Sequence, residues 1–374
     1  MPQSSENSEG YYIGVMTGTS GDGLDVALVN IERNQGLQFV AAETVTFSEQ
    51  LREKLIALST PEANEIEKMG QCDTELGSFI GLSIIRFLEN QAVGRDKIIA
   101  IGSHGQTIRH RPPSEDNQFP FTLQIGNPFL INEITGIKTI ADFRRRDVAL
   151  NGQGAPLVPP FHESIFRGKS PASIILNIGG ISNITTLGSN LAGFDTGPGN
   201  CLMDAWIMQK RKLLYDKSGE WASSGTVHEA LLKSLRDDPF FRRSPPKSTG
   251  REYFNLKWVE EKFDGLEKLD ERDVQATFCE LTALTIISEI AKFSSTTQEV
   301  IVCGGGRLNT YLITRLEELG DKPIRLSEDY EIDGDYIEAA AFAWLAFCNL
   351  NNLSIDWKQV TGASKSGTLG VIFG

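Results

Sequence analysis

The sequence predicts an α/β protein of two domains. Its 374 residues exceed what a single hydrophobic core ordinarily organises. A strand-type run, a glycine-rich turn and a second strand open the chain, and the same order returns in altered form about 160 residues later, as an internal repeat would. Three glycine-rich turns, GTSGDG at 18–23, DTGPGN at 195–200 and GGGRLN at 304–309, each follow a strand-type run.

Composition narrows the class. With 40% hydrophobic and 23% charged residues the chain reads as soluble and globular. A formal net charge of -13, uninterrupted by any Lys/Arg stripe, argues against nucleic acid and anionic membrane as partners. Residues 1–10 lack the basic-then-apolar order of a signal peptide, and no run approaches the length of an apolar span. The cysteines (Cys72, Cys201, Cys279, Cys303, Cys348) are an odd, scattered set without a C-x-x-C pair, which predicts buried thiols in a reducing, cytoplasmic compartment. The histidines, His104, His110, His162 and His228, are too dispersed to suggest a metal cluster.

Along the chain, residues 12–16, 26–32 and 38–47 read as consecutive strands. A hairpin needs only two turn residues, yet the polar stretch 17–25 is inserted into the first one. Apolar recurrence at three- and four-residue spacing predicts a helix over 63–92, and IIAIGSHGQTI, 98–108, reads as a buried strand ending in a Gly-bounded turn. Residues 119–140 form short segments broken by proline and glycine. The second cycle holds a strand at 173–178, then GGISN, ITTL, LAGF and a helix from CLMDAWIMQKRKLL. Residues 212–256 are polar and loop-rich. Asp273 is expected to cap a long amphipathic helix carrying Val274, Phe278, Leu281 and Leu284 on its inner side. A strand at 299–303, a glycine turn, a helix and a last apolar helix at 337–349 complete the pattern. The domain boundary is expected in ordered chain around 141–155.

Glycines let a backbone approach a ligand closely, so successive N–H groups can converge on an anion. The three turns, interleaved with Thr, Ser, Asp and Asn, suit that use. Familiar phosphate motifs do not fit. The only Gly-Lys-Ser, at Gly168–Ser170, has Glu163 where a P-loop requires glycine, and no complete G-x-G-x-x-G opens a helix. There is no G-x-S-x-G elbow.

Several acids and polar groups are candidates. Asp195 follows LAGF and is expected at that strand's end. There it can hold the waters of a magnesium ion, accept a proton from an attacking oxygen, or cap the next helix. Asp22 and Asp25 sit in or beside the first turn, with Asp25 the more structural of the two. SHGQT places His104, Gln106 and Thr107 at the C-terminal end of a buried strand, where α/β proteins hold ligands. ADFRRRD (141–147) is a basic triplet in an acidic chain, and Glu338 opens an otherwise apolar helix, where an acid also serves the helix dipole.

Taken together, MTGTSGDGLD (16–25), SHGQT (103–107), ADFRRRD (141–147), GQGAPLVP (152–159), NIGGISN (177–183), FDTGPGN (194–200), PPKSTGREYFN (245–255), CGGGRLN (303–309) and EAAAFAWLA (338–346) resemble the anhydro-N-acetylmuramic acid kinases. The motifs span nearly the whole chain in order. Thr17 stands where family members often have serine, which keeps the hydroxyl.

The resemblance implies two duplicated actin-like, ribonuclease H-like domains around a central nucleotide cleft. Their expected extents are 1–145 and 146–349, with about 350–374 packing back on the first. It implies ATP and Mg²⁺ as cofactors, 1,6-anhydro-N-acetylmuramic acid as substrate, N-acetylmuramic acid 6-phosphate as product, and a homodimer in the cytoplasm. By the same resemblance ATP would be bound by Gly18, Thr19, Ser20, Gly21, Asp22, Gly23 and Asp25, by Gly197, Gly199 and Asn200, and by Gly304, Gly305, Gly306 and Asn309. Asp195 would be the catalytic base, and Asp22 and Asp195 would hold the metal through water. His104, Gln106, Thr107, Arg144 and Glu338 would hold the sugar, Arg144 by pairing with its lactyl carboxylate. Rival readings are an ATP-gated chaperone- or filament-like protein, and another sugar kinase of the same fold.

Overall fold

The computed structural model describes residues 9–18, 23–32, 36–59, 61, 63–114, 117–188, 191–293 and 295–374. The chain divides into two compact units. Unit 1 comprises residues through Ile165 together with Tyr336–Gly374, and unit 2 is Phe166–Asp335.

Unit 1 begins with three antiparallel strands, β1 (Gly10–Thr17), β2 (Gly23–Glu32) and β3 (Gly36–Thr46). β4 (Ile98–Ser103) then joins β1 in parallel. β5 (Gln106–Arg111) and β6 (Phe121–Ile125) form a separate hairpin, and β7 (Thr139–Ala141) lies parallel to β4. The helix Glu65–Asn90 buries Leu76, Ile80, Ile84 and Phe87 in a core shared with Ile13, Val15, Val26 and Leu28 of the sheet.

Unit 2 repeats the plan. β8 (Ser173–Ile178), β9 (Ile181–Thr186) and β10 (Ala192–Pro198) are antiparallel neighbours. β11 (Glu299–Cys303) runs parallel to β8, and β12 (Ile324–Leu326) parallel to β11. After Asp335 the chain returns to unit 1 as the helix Ile337–Leu350, then β13 (Val371–Phe373), antiparallel to β7. The sheets read β13-β7-β4-β1-β2-β3 and β10-β9-β8-β11-β12. Without β13 the two orders are the same: three antiparallel strands, then two added in parallel beside the first. That is the ribonuclease H-like, actin-like sheet, present twice.

Two expectations differ from these units. The boundary falls at Ile165/Phe166; position 145/146 lies inside the helix Phe143–Ala149. The returning segment starts at Tyr336 rather than near 350. The cause is close packing of the last helix on unit 1. A Cβ on Gly14 would lie 1.8 Å from the Ala339 carbonyl oxygen, and one on Gly102 2.0 Å from that of Phe342, so β1 and β4 admit the helix only as glycine. The Gly-bounded turn expected to end the strand within 98–108 falls at His104–Gly105, where Gly105 takes φ +69°, and β5 begins at once at Gln106.

The long helix is Glu271–Ile290, capped by Asp270 rather than Asp273. It is buried on nearly every side instead of amphipathic, and it belongs to the core of unit 2 although its length and hydropathy alone would suit a membrane span. All five cysteines are buried and none is in a disulfide.

Candidate active site

In unit 1 the polar residues gather where β4 ends. His104 N–H donates to the Val15 carbonyl at 3.1 Å, which turns the imidazole inward against Phe342, with ring centroids 4.7 Å apart. Nδ1 lies 2.6 Å from the Gly105 carbonyl, and Nε2 lies 2.9 Å from Arg144 Nε. A carbonyl can only accept and a guanidinium can only donate, so the ring carries its proton on Nδ1 and is neutral. Burial first, then the Arg144 charge, push its pKa well below the usual histidine value. Thr17 donates its hydroxyl to the same Gly105 carbonyl at 2.7 Å.

Arg144 is half-buried and committed. Besides His104, it donates Nη1 to the Gly154 carbonyl at 2.7 Å, so among the described residues both Nη2 donors and the second Nη1 donor are left for a ligand. Burial pushes its pKa down to about 10, opposed by Glu338 and Asp147. Burial raises the Glu338 carboxyl; Arg144 lowers it and Asp25 raises it. Glu338, Arg144 and Asp25 are thus electrostatic neighbours. Asp25 accepts the Thr44 hydroxyl at 2.6 Å from the adjoining strand.

A cavity of about 280 Å³ opens here, lined among others by Ser103, His104, Gly105, Gln124, Asp142 and Arg145. Two of its side chains carry buried polar atoms without partners among the described residues, Ser103 Oγ and Gln124 Oε1. Orphaned polar atoms beside a cavity suit a ligand rich in hydroxyls and amides. Of the neighbouring candidates, Gln106 is buried with Oε1 unpartnered, and Thr107 Oγ1 accepts from Gln124 at 3.0 Å. Gln124 is not singled out from sequence, and Arg145 only as part of the basic triplet in ADFRRRD.

In unit 2, Asp195 lies within β10 rather than at its end. The register against β9 shifts between Asp195 and Gly197, a bulge that re-aims the side chain. Its N–H donates to the Lys247 carbonyl at 3.0 Å, and the Thr249 N–H donates to its Oδ2 at 2.8 Å. Oδ1 has no hydrogen bond among the described residues. Burial raises the carboxyl to about 7, the Thr249 N–H opposing, Glu252 adding to the rise and Lys247 lowering it. Lys247 in turn pairs with Glu289 of the long helix at 2.9 Å, both side chains 2% exposed, and Lys292 takes the other Glu289 oxygen at 2.6 Å.

The glycine turns are more structural than their sequence suggests. The N–H groups of Gly199 and Asn200 donate to the carbonyls of Gly180 and Gly179, at 2.9 and 2.8 Å. A Cβ on Gly199 would stand 2.4 Å from the Gly179 oxygen. Gly197 is buried in the bulge, and Asn200 precedes the helix Cys201–Arg211 without a side-chain cap bond. At the third turn, Gly304 and Gly306 pack against Asn177 and Ile178, and Asn309 caps the helix Thr310–Leu319 through Leu312 N–H at 3.1 Å. Gly305 is different: it is exposed, with nothing within 4 Å of where a Cβ would sit. At the first turn, Gly18 and Gly23 flank Thr19, Ser20, Gly21 and Asp22, which lie outside the described residues. Among the described residues, no three His, Cys, Asp or Glu side chains cluster to ligate a metal directly.

Comparison with known proteins gives a consistent result. Residues 10–374 match the family described as anhydro-N-acetylmuramic acid kinase. A protein of that name from Coxiella burnetii (strain Dugway 5J108-111) is 47% identical over 368 residues, covering 97% of each chain. One from Pseudomonas fluorescens is 46% identical, over 97% of this chain and 99% of its own. One from Photobacterium profundum is 44% identical, over 97% of this chain and 98% of its own. A solved structure, (R)-2-hydroxyglutaryl-CoA dehydratase component A from Acidaminococcus fermentans, aligns over 91% of this chain and 99% of its own. It does so at 13% identity and TM-score 0.47, a likeness on which nothing here rests.

Proposed function

Because this chain belongs to the anhydro-N-acetylmuramic acid kinase family, we propose that Asp195 is the base that activates water against the anhydrosugar. The activity is that of an ATP-dependent kinase that phosphorylates 1,6-anhydro-N-acetylmuramic acid in peptidoglycan recycling. That substrate has no free 6-hydroxyl, because O6 bridges to C1. Phosphorylation at O6 must therefore break the acetal: water oxygen bonds to C1 and gives its proton to the base, the C1–O6 bond opens, and O6 takes the γ-phosphoryl as the bond from γ-phosphorus to the β,γ-bridging oxygen breaks and ADP leaves.

Neutral water is a weak nucleophile, and a carboxylate that accepts its proton is typically worth about 10²–10⁴-fold. The observation that carries Asp195 is its geometry, with Oδ2 fixed by the Thr249 N–H and Oδ1 without a hydrogen bond among the described residues, in a site whose burial raises the carboxyl to about 7. At neutral pH such a group is both substantially ionised and basic enough to take a proton.

The sugar side falls to unit 1. Ser103 Oγ and Gln124 Oε1 bond its hydroxyls or amide, Glu338 contacts hydroxyls, and the Arg144 Nη2 with Arg145 attracts the lactyl carboxylate. Gln106 and Thr107 shape the same strand end. For the nucleotide, unit 2 offers Gly305, whose backbone is open, as an adenosine contact, and unit 1 offers Gly18, Gly23 and Asp25 as phosphate contacts. A magnesium ion usually keeps several waters and takes one or two carboxylates plus phosphates. Asp195, with Oδ1 unbonded among the described residues, fits that donor set; Asp22, outside the described residues, is the second carboxylate that the resemblance implies. Bound ATP supplies the phosphoryl group, and magnesium screens its charge.

We further propose a homodimer in the cytoplasm; the five buried, unoxidised cysteines suit a reducing compartment. ATP consumption with 1,6-anhydro-N-acetylmuramic acid, compared with N-acetylglucosamine, N-acetylmuramic acid and no sugar, tests the function. The anhydrosugar alone should drive turnover, with a product heavier by one water and one phosphoryl group. Equal ATP hydrolysis without sugar would overturn it.

A further inference from the structure

A buried carboxylate outside the proposed contacts organises the sugar side. Asp147 is fully buried on the helix Phe143–Ala149, one turn beyond Arg144. Its Oδ2 accepts the Gly154 N–H at 2.7 Å, and its Oδ1 accepts the Thr361 hydroxyl at 2.6 Å. The carbonyl of the same Gly154 receives Arg144 Nη1, and Arg144 Nε holds the neutral His104 ring. A continuous chain of hydrogen bonds thus runs Thr361, Asp147, Gly154, Arg144, His104.

The loop in its middle has little freedom of its own. Gly154 takes φ +69°, and a Cβ on Gly152 would stand 2.2 Å from the Asp147 carboxylate. The C-terminal segment fastens the loop a second time, because Gln153 N–H donates to the Thr361 carbonyl at 2.8 Å. Ser364 N–H donates to the Leu150 carbonyl at 2.7 Å. Thr361 is itself fully buried, in a segment closed on itself by Ile355–Gly367 hydrogen bonds. A solvated loop of this length would not hold one carbonyl in register with a guanidinium. Bonded on three sides, it can.

We propose that Asp147 and Thr361 are positioning residues for sugar binding, through which the C-terminal segment sets the Gly154 carbonyl and hence the orientation of Arg144 and His104. This rests on the reading of the cavity beside His104 as the sugar site. Neither residue touches the ligand. Their effect should therefore appear in sugar affinity and leave nucleotide affinity alone, whereas general loosening of the fold would degrade both.

The test measures KM for the anhydrosugar, KM for ATP and thermal midpoint for Thr361→Val, Thr361→Ser and Arg144→Ala. Thr361→Val removes the hydroxyl donor at nearly constant volume and should raise the sugar KM about tenfold, the scale of one hydrogen bond to a charged group, with the ATP KM unchanged. Thr361→Ser keeps the donor and should restore the sugar KM. A sugar KM unaltered in Thr361→Val, a parallel loss for both substrates, or failure of serine to rescue would each overturn the proposal. If the valine variant does not fold, Thr361→Ala, which removes the hydroxyl without adding a methyl group, is read in the same way. Arg144→Ala separates the two levels. If it leaves sugar KM unaltered, the sugar site itself is misassigned and the inference falls with it; if it raises sugar KM while Thr361→Val does not, only the positioning role falls.

Discussion

The main-chain N–H of Thr249 donates to Asp195 Oδ2, 2.8 Å away, while the N–H of Asp195 donates to the Lys247 carbonyl at 3.0 Å. Residues 247–249 are thereby stitched to the bulge within β10 through backbone groups and the Asp195 carboxylate. One carboxylate oxygen is oriented, the other has no hydrogen bond among the described residues, and burial keeps the group weakly acidic. This sets the pH behaviour. A base must be ionised to act, so sugar-dependent turnover should rise with pH through about 7 and level above it. His104 adds no limb in this range, because it stays neutral. A pH–rate profile from 5 to 9 checks both points.

The same shift predicts a stability effect of opposite sense. A carboxyl raised from 3.8 to about 7 in the folded state favours folding when protonated, and that contribution is lost as pH rises through about 7. Asp195→Asn removes the penalty of ionising there. Its thermal midpoint should exceed that of the parent protein by a margin that grows from pH 4 to about 7 and is constant above. Scanning calorimetry of the pair across that range would show it, and a constant margin would mean the carboxyl is not raised.

Lys247 and Glu289 form a buried ion pair that seats this loop. Removing one partner leaves the other charged in the core, so Glu289→Gln should destabilise by about 3–5 kcal/mol, whereas Lys247→Met with Glu289→Leu should recover most of that loss. Lys247 also lowers the Asp195 pKa. The double variant should therefore shift the pH–rate limb upward. Urea unfolding and the pH profile together test the pair.

Gly14 and Gly102 are predicted to tolerate no side chain. Each faces the backbone of the helix Ile337–Leu350 at a distance that a Cβ cannot share. Gly14→Ala should cost more than about 3 kcal/mol, beyond ordinary overpacking, since backbone rather than a movable side chain must yield. Glu338 opens this helix, so any surviving fold should also bind sugar poorly. Thermal unfolding and sugar KM give the result.

Much of this molecule could be read in one dimension. The strand at Ser173–Ile178 has the residues its apolar run predicts, and the helix expected over 63–92 is Glu65–Asn90. Their signals are local, carried by periodicity and strand-type runs. The turn after Ser103 is legible in the glycine of SHGQT, which takes the positive φ; that a second strand starts at once at Gln106 is not, because its pairing with β6 is not local. Thr249 escaped because it acts through its N–H, which no side-chain pattern announces. Asp147 and Thr361 are 214 residues apart, so nothing in either neighbourhood predicts their pairing. The domain boundary was misjudged for a related reason: Gly14 and Gly102 look like ordinary strand glycines until the returning helix lies against them.

Turnover by Asp195→Asn, with nucleotide binding measured alongside, tests the proposed base most directly. The amide keeps shape but cannot accept the water's proton, so turnover of the anhydrosugar should fall by about 10²–10⁴-fold while ATP affinity is retained. Turnover near that of the parent protein, in a variant that binds ATP normally, would contradict Asp195 as the base.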